Sequence, residues 1–448
     1  MKQAPPELPG SPTGESPLDR SLALSIAGER ESALRWSAAS VEHDSSPSGL
    51  LLTCRLLADM GRQETAVEGL ELAVKRAIDS GNLPLGVAAI WDLQKLGRPV
   101  DAQFEAVAEA FAAGSSRIAQ SIPPPPPLPA ADQFQPLSSF LSGPALLSKA
   151  TSIIHEAKQQ FDNVPSPMIA PVPLFSDIEK PALVALLRSF SVMTVQSGDL
   201  VVSEGHEGAE AYIVARGELE VFRTPTPEEE PLTLARLGNG ALFGEMALIS
   251  RAPRAASVVA CRPSILLVAK RDALEKVAER HPEVGVELAA HCRQRMVQNL
   301  VRTSRALSAV PPDERPYLVD RFETKYYEKG DRLIVAGNET VGLHLIASGE
   351  VAVVGSEGGE SIVIAKLGVG DVVGEIALVL RRRSTANVVA VHPTVTLFLP
   401  REDFLGIVRE HPSILQSLYL MAIERDEETS LLTQNSTTNI SADELIFV

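Results

Sequence analysis

The feature that most constrains this 448-residue chain is an internal repeat. Gly198, Gly205 and Gly217 return as Gly330, Gly337 and Gly349, each 132 positions later, and Gly240, Gly244 and Glu245 return as Gly370, Gly374 and Glu375 after 130. The lost two positions fall between Gly217 and Gly240. There the first copy carries Thr224-Pro225-Thr226-Pro227-Glu228-Glu229-Glu230-Pro231, a polar hairpin loop longer than its counterpart around 355–359. Self-similarity at fixed spacing means one folding unit built twice. Between the glycines, segments such as 211–222 are short, β-branched and partly alternating, which predicts strands of a small antiparallel barrel or jelly roll. A further strand is expected at 264–269 and again at 395–399. The period then turns helical over 272–280 and 402–410, each stretch ending at His-Pro (His281-Pro282, His411-Pro412), as a helix does before proline.

The chemistry is concentrated in residues 243–258. Gly244, Glu245, Met246 and Ala247 read as the opening of a short helix, whose unsatisfied N–H groups and dipole favour an anion. Gly244 has no Cβ and lets a ligand approach the backbone. Arg254, ten residues on, supplies a cation for charge-assisted bonds to phosphate. Ala255 follows it, and Ser257 offers a hydroxyl to phosphate or purine. Glu245 is not suited to phosphate. A carboxylate only accepts, so beside an anion it calls for a ligand hydroxyl, and a 3′,5′-cyclic nucleotide offers its ribose 2′-OH. Taken singly, Gly-Glu is a turn and an arginine is surface; the joint spacing points to a cyclic nucleotide.

The glycine ladder, Phe243-Gly244-Glu245-Met246-Ala247-Leu248 and Pro253-Arg254-Ala255-Ala256-Ser257-Val258 closely resemble the cyclic nucleotide-binding domain family. That family includes catabolite-activator-type regulators and the regulatory subunits of cyclic-nucleotide-dependent protein kinases, and tandem copies resemble the latter. The resemblance covers roughly 171–426. It implies that Glu245 holds the ribose 2′-OH, Arg254 the phosphate, and the Gly244 and Ala247 backbone the remaining phosphate oxygen. In family members that prefer cGMP a Ser or Thr follows the arginine, so Ala255 leans the first copy to cAMP, with cGMP as the alternative ligand.

The second copy keeps Gly374, Glu375 and Ala377 but has Ser384 at the arginine position, Arg383 one place early, and Asn387 for the serine. Losing a bond to a charged group costs about 1.5–3 kcal/mol. A shift of one position turns a strand side chain to the opposite face, so whether Arg383 compensates is left open; Thr385 would lean this copy to cGMP.

The chain therefore reads as an α+β multidomain protein, with a helical N-terminal domain followed by two antiparallel β-barrel or jelly-roll domains with C-terminal helices. The expected boundaries are a disordered arm over 1–28, a helical domain over 29–120, and a Pro-rich linker over 121–170. Cyclic nucleotide-binding domains follow over 171–306 and 307–426, with an acidic, polar tail over 427–448. In the helical domain, apolar residues recur at three and four spacing over 49–60, 64–80, 85–96 and 101–113, broken at Gly61, Gly81 and Gly97. The segment 57–66 resembles a tetratricopeptide-type turn, so this domain is either a peptide-binding array or a plain bundle.

A net charge of −16 argues against a nucleic-acid partner. Cys54, Cys261 and Cys292 lack metal-like spacing and suit a reducing cytoplasm. No apolar run reaches membrane-spanning length and the start is not a signal peptide. The expected function is a non-enzymatic sensor whose protein partner is met through the N-terminal helices or the helix over 283–306. A transcription regulator would place a helix-turn-helix where the second copy stands, and cupin-type metal chemistry would need more histidines than His206 and His344. A ligand-free scaffold is opposed by Glu245 and Arg254. The regulatory-subunit resemblance also implies a basic inhibitory segment ahead of the first barrel, but residues 121–169 hold only Lys149 and Lys158.

Overall fold

The computed structural model describes residues 16–119, 135–161, 166–224, 231–246, 248, 251–304, 311, 321–357, 360–380, 382–410, 412, 414–416, 418–423 and 425. The chain divides into two compact units. One comprises Met1–Glu204, Glu210–Glu245 and Ala256–Leu288, the other Gly205–Ala209, Met246–Ala255 and Ala289–Val448.

The first unit begins with α1 (Pro17–Ile26), which starts on a capping box. Ser16 Oγ accepts from the Asp19 N–H at 3.1 Å and the Asp19 carboxylate accepts from the Ser16 N–H at 3.0 Å, with Pro17 at the first helical position. This corrects the arm expected over 1–28 from Ser16 onward, residues 1–15 lying outside the described residues. The Pro, Gly and Ser content of the segment hid Leu18 and Leu22, one turn apart and both buried. Helices α2 (Arg30–Asp44), α3 (Pro47–Asp59), α4 (Gln63–Asp79), α5 (Leu83–Lys95) and α6 (Asp101–Phe111) follow, each packed on the next. The breaks at Gly61, Gly81 and Gly97 are helix C-terminal turns: after α3, Gly61 takes φ +84° and the Arg62 N–H returns to the Leu57 carbonyl at 2.8 Å.

A second correction concerns the linker. Within 121–170 lies α7 (Gly143–Phe161), a 19-residue helix that packs on α2 and α4 through Leu146, Ala150, Ile153, Ile154 and Ala157. Those residues recur at helical spacing, a signal overshadowed by the upstream prolines. Pro123 to Pro127 lie outside the described residues, as do the hairpin tip 225–230 and the tail beyond 425.

After α8 (Lys180–Ser189) come β1 (Ser191–Val195), β2 (Leu200–Val202), β3 (Glu210–Arg216), β4 (Leu219–Arg223), β5 (Leu232–Leu237), β6 (Leu242–Phe243), β7 (Ser257–Ala260) and β8 (Ser264–Lys270). They form two antiparallel four-stranded sheets, β1-β8-β3-β6 and β2-β7-β4-β5. Tyr212, Val214, Leu219, Phe243, Val258 and Leu266 are buried in their shared core. This is the jelly-roll alternative, with two facing sheets instead of a closed barrel. α9 (Arg271–Arg280) packs on α8. The N-terminal helices are fixed to this jelly roll. Asn82 Nδ2 donates to the Ala215 carbonyl at 3.2 Å, and buried Asp19 accepts from Arg216 at 2.6 Å and from Arg262 at 3.2 Å.

Helix α10 (Pro282–Thr303) leads onward. In the second unit β9 (Glu323–Tyr327), β10 (Arg332–Ile334), β11 (Gly342–Ser348), β12 (Val351–Glu357), β13 (Glu360–Leu367), β14 (Val372–Val373), α11 (Glu375–Val379), β15 (Asn387–Ala390), β16 (Thr394–Pro400) and α12 (Arg401–Glu410) follow. The sheets, β9-β16-β11-β14 and β10-β15-β12-β13, reproduce the first copy's strand order. The repeated glycines all take positive φ, from +76° at Gly244 to +118° at Gly217. At Gly217 and Gly349 crowding adds to conformation, since a Cβ there would come within 2.9 Å of Ser264 Cα and 2.8 Å of Thr394 Cα.

Candidate functional site

One backbone frame positions the polar residues of both copies. In the first, the Gly205 N–H donates to the Arg254 carbonyl at 2.8 Å and the Arg254 N–H to the His206 carbonyl at 2.9 Å. In the second, the Gly337 N–H donates to the Ser384 carbonyl at 2.8 Å and the Ser384 N–H to the Asn338 carbonyl at 3.0 Å. Ser384 thus stands where Arg254 stands, and Thr340 where Gly208 stands. Ser257 and Asn387 correspond too: Ser257 Oγ accepts from the Glu204 N–H and Asn387 Oδ1 from the Ala336 N–H, both at 3.0 Å. That shared bond to the preceding strand's end is a scaffolding role the sequence does not reveal.

In the first copy Gly244 takes φ +76°, and Glu245 and Arg254 are both buried, at 4% and 8% exposure. Charged groups at such burial need hydrogen-bonding or ionic partners. A Cβ on Gly208 would lie 2.6 Å from Arg254 Cζ, so the missing side chain at 208 leaves the slot that the guanidinium fills. Met246, itself part of the second unit, packs against that unit's core cluster, which also contains Met296, Val297 and Leu300 of α10. Ala255 is exposed and Ser257 half-buried. Ala247 lies outside the described residues.

In the second copy a cavity of about 140 Å³ gathers Gly374, Glu375, Ala377, Arg383, Ser384 and Thr385, all six residues expected there. Ile334, Val353, Leu367, Val373 and Val388 form its apolar side. Gly374 opens α11 at φ +92°, and a Cβ there would approach the Gly342 carbonyl to 2.8 Å. Two lining or adjoining residues were not foreseen. Thr340, buried, brings its Oγ1 to 2.7 Å from Ser384 Oγ. Arg425 places Nη1 2.7 Å from Glu375 Oε1 and 2.6 Å from the Val372 carbonyl, with Nη2 3.3 Å from Asp371 Oδ1. Reading the repeat forward from Gly208 would have found Thr340; no local pattern ties Arg425 to Glu375. Burial pushes the Glu375 carboxyl above its ordinary range, and Arg425 pulls against that rise. Arg383 is exposed, its Nη1 donating to the Gly337 carbonyl at 3.2 Å. Tyr419, the candidate purine cap, is 46% exposed and does not line the cavity.

The sequence profile described as "Cyclic nucleotide-binding domain" matches residues 192–281 and 324–411, one in each jelly roll. These are two cyclic nucleotide-binding domains. The chain is 30% identical over 241 residues to the cAMP-dependent protein kinase regulatory subunit of Yarrowia lipolytica, covering 53% of this chain and 60% of that protein. It is 29% identical over 224 residues to the type II regulatory subunit of Drosophila melanogaster, covering 50% and 56%. It is also 29% identical over 239 residues to human cGMP-dependent protein kinase 2, covering 52% of this chain and 29% of that kinase. The chain therefore spans well under two thirds of the length of these relatives. Among the described residues no helix is long and apolar enough to cross a membrane, and no cluster of three or more His, Cys, Asp or Glu could hold a metal.

Proposed function

We propose that the chain is a non-enzymatic cytoplasmic sensor whose first cyclic nucleotide-binding domain takes cAMP in preference to cGMP. Glu245 accepts the ribose 2′-OH, Arg254 pairs with the cyclic phosphate, and the backbone of Gly244 and of Ala247, the latter outside the described residues, holds the remaining phosphate oxygen. The observation that carries this reading is the Gly208–Arg254 arrangement, a buried cation with a slot made for it, which the second domain lacks. Both classes of named relative, cAMP-dependent and cGMP-dependent, are compatible with such a ligand; Ala255 favours cAMP. The response passes through Met246, which touches the core that holds α10, to a protein partner met at α10 or the N-terminal helices. Coupling of this kind requires different ligand affinities in two states of the chain.

The test is a chemical double cycle on the full chain with cAMP and 2′-deoxy-cAMP. Wild type should bind the deoxy ligand about tenfold or more weakly, the effect of one bond to a charged group, while Glu245→Ala should not discriminate. Equal affinity of wild type for both ligands would remove Glu245 from the reading.

A further inference from the structure

Adjacent arginines occur in this sequence only as Arg381-Arg382-Arg383, and Ser384 and Thr385 follow them at once. An arginine pair two and three positions ahead of a hydroxyl is a charge pattern that arginine-directed protein kinases read. The run offers such a pair twice: Arg381 and Arg382 precede Ser384 at that spacing, and Arg382 and Arg383 precede Thr385. In the sequence the two acceptors are equivalent. Folding separates them.

Residues 382–386 join α11 to β15 outside any helix or strand, the kind of surface segment on which modification sites fall. Within it Ser384 is tied down three times. Its N–H donates to the Asn338 carbonyl at 3.0 Å, its carbonyl accepts from the Gly337 N–H at 2.8 Å, and its Oγ lies 2.7 Å from Oγ1 of buried Thr340. Arg382, Arg383 and Thr385 are exposed. The first copy has no equivalent acceptor, because Ala255 stands where Thr385 stands. Its nearest hydroxyl, Ser257, follows a single arginine, Arg254, that is 8% exposed, and Ser257 Oγ accepts from the Glu204 N–H at 3.0 Å.

We propose that Thr385 is a phosphorylation site for an arginine-directed serine/threonine kinase. Thr385 Oγ1 bonds to the γ-phosphorus of ATP as the bond from that phosphorus to the bridging β-phosphate oxygen breaks; ADP leaves and the hydroxyl proton passes to the kinase. The product carries about −1.5 to −2 of charge on the wall of the cavity that Thr385 shares with Glu375. A like charge there opposes entry of an anion into the second domain, while the first domain, with Ala255, carries no such switch. This assignment is independent of the ligand proposed for the first domain.

The experiment treats the full chain, and beside it a synthetic peptide of residues 378–388, with the catalytic subunit of cAMP-dependent protein kinase and magnesium ATP. Fragmentation mass spectrometry locates the phosphate. In the peptide Ser384 and Thr385 compete; in the folded chain phosphate is expected on Thr385, with none on Ser384 or Ser257. Thr385→Ala should abolish incorporation into this loop, and Arg382→Ala should slow it at least about tenfold, as for the loss of one bond to a charged group. Circular dichroism of both variants checks that they fold. Phosphate on Ser384 of the folded chain, phosphate on the peptide but on neither residue of the chain, or none on either would each overturn the proposal.

Discussion

Asp19 should be among the most costly single residues to lose from the first unit. It is 2% exposed and accepts from Arg216 at 2.6 Å, from Arg262 at 3.2 Å and from the Ser16 N–H at 3.0 Å. Asp19→Ala leaves Arg216, 6% exposed, with the neutral Pro263 carbonyl at 3.2 Å and Ser16 Oγ at 3.3 Å in place of its carboxylate partner. Removing one partner from a buried ion pair costs about 3–5 kcal/mol, because the other charge stays buried without compensation. Trp36 on α2 and Trp91 on α5, the chain's two tryptophans, both belong to the first unit. Fluorescence in urea therefore follows this unit's transition. The variant should lose about 3–5 kcal/mol, and Asp19→Leu combined with Arg216→Met should recover most of that loss, since no orphan charge remains. Burial raises the Asp19 carboxyl, but Arg216 and Ser16 outweigh it and hold the carboxyl below its ordinary value. Its contribution is thus present above the unfolded carboxylate pKa and fades as pH falls through the lower folded value. A loss under about 1 kcal/mol, the range of exposed pairs, or a double variant as weak as the single, would refute the claim that this pair fastens α1 to the jelly roll.

Gly208→Ala should leave the melting temperature nearly unchanged, because Arg254 is flexible at its far end, yet weaken cAMP binding by about tenfold or more through displacement of the guanidinium; calorimetry beside a thermal melt separates the two effects. His344 is buried against Phe398 and bonded to Thr396 Oγ1 at 3.0 Å, and burial, helped by Lys325, lowers its pKa from 6.5 to about 4. The unfolded chain takes up that proton as pH falls below about 6.5 while the folded chain resists until about 4. Stability should therefore drop by about 3 kcal/mol across that window. In His344→Phe this histidine-linked part of the slope, followed by circular dichroism at pH 7 and 4.5, should vanish.

The repeat made both jelly rolls legible, because ten glycines at positive φ cannot be exchanged for other residues without strain, and their spacing fixed where the turns fall. Helices α3 to α6 were legible for a related reason: apolar spacing set their faces and Gly61, Gly81 and Gly97 set their ends. Composition misled at α1 and α7. Both follow or precede Pro-rich stretches, and what defines them is a few buried positions, Leu18 and Leu22 or Leu146, Ile153 and Ile154, that an average over the segment dilutes. In the site, residues on the short cassette could be read in order along the chain. Thr340 lies off the cassette and is reached only by carrying the repeat forward from Gly208, and Arg425 could not be read at all, since its role arises only when it is folded beside Glu375. Ser257 carries a role its type does not reveal, its oxygen accepting a backbone N–H just past the neighbouring strand's end.

The most direct test of the central claim is calorimetric titration of the full chain with cAMP and cGMP, set beside Arg254→Ala. A saturating event with cAMP, tighter than with cGMP and weakened about tenfold to over a hundredfold in the variant, is the expected result. No heat with either nucleotide, or an affinity for cAMP that Arg254→Ala leaves unchanged, would contradict the first domain's assignment as the sensor.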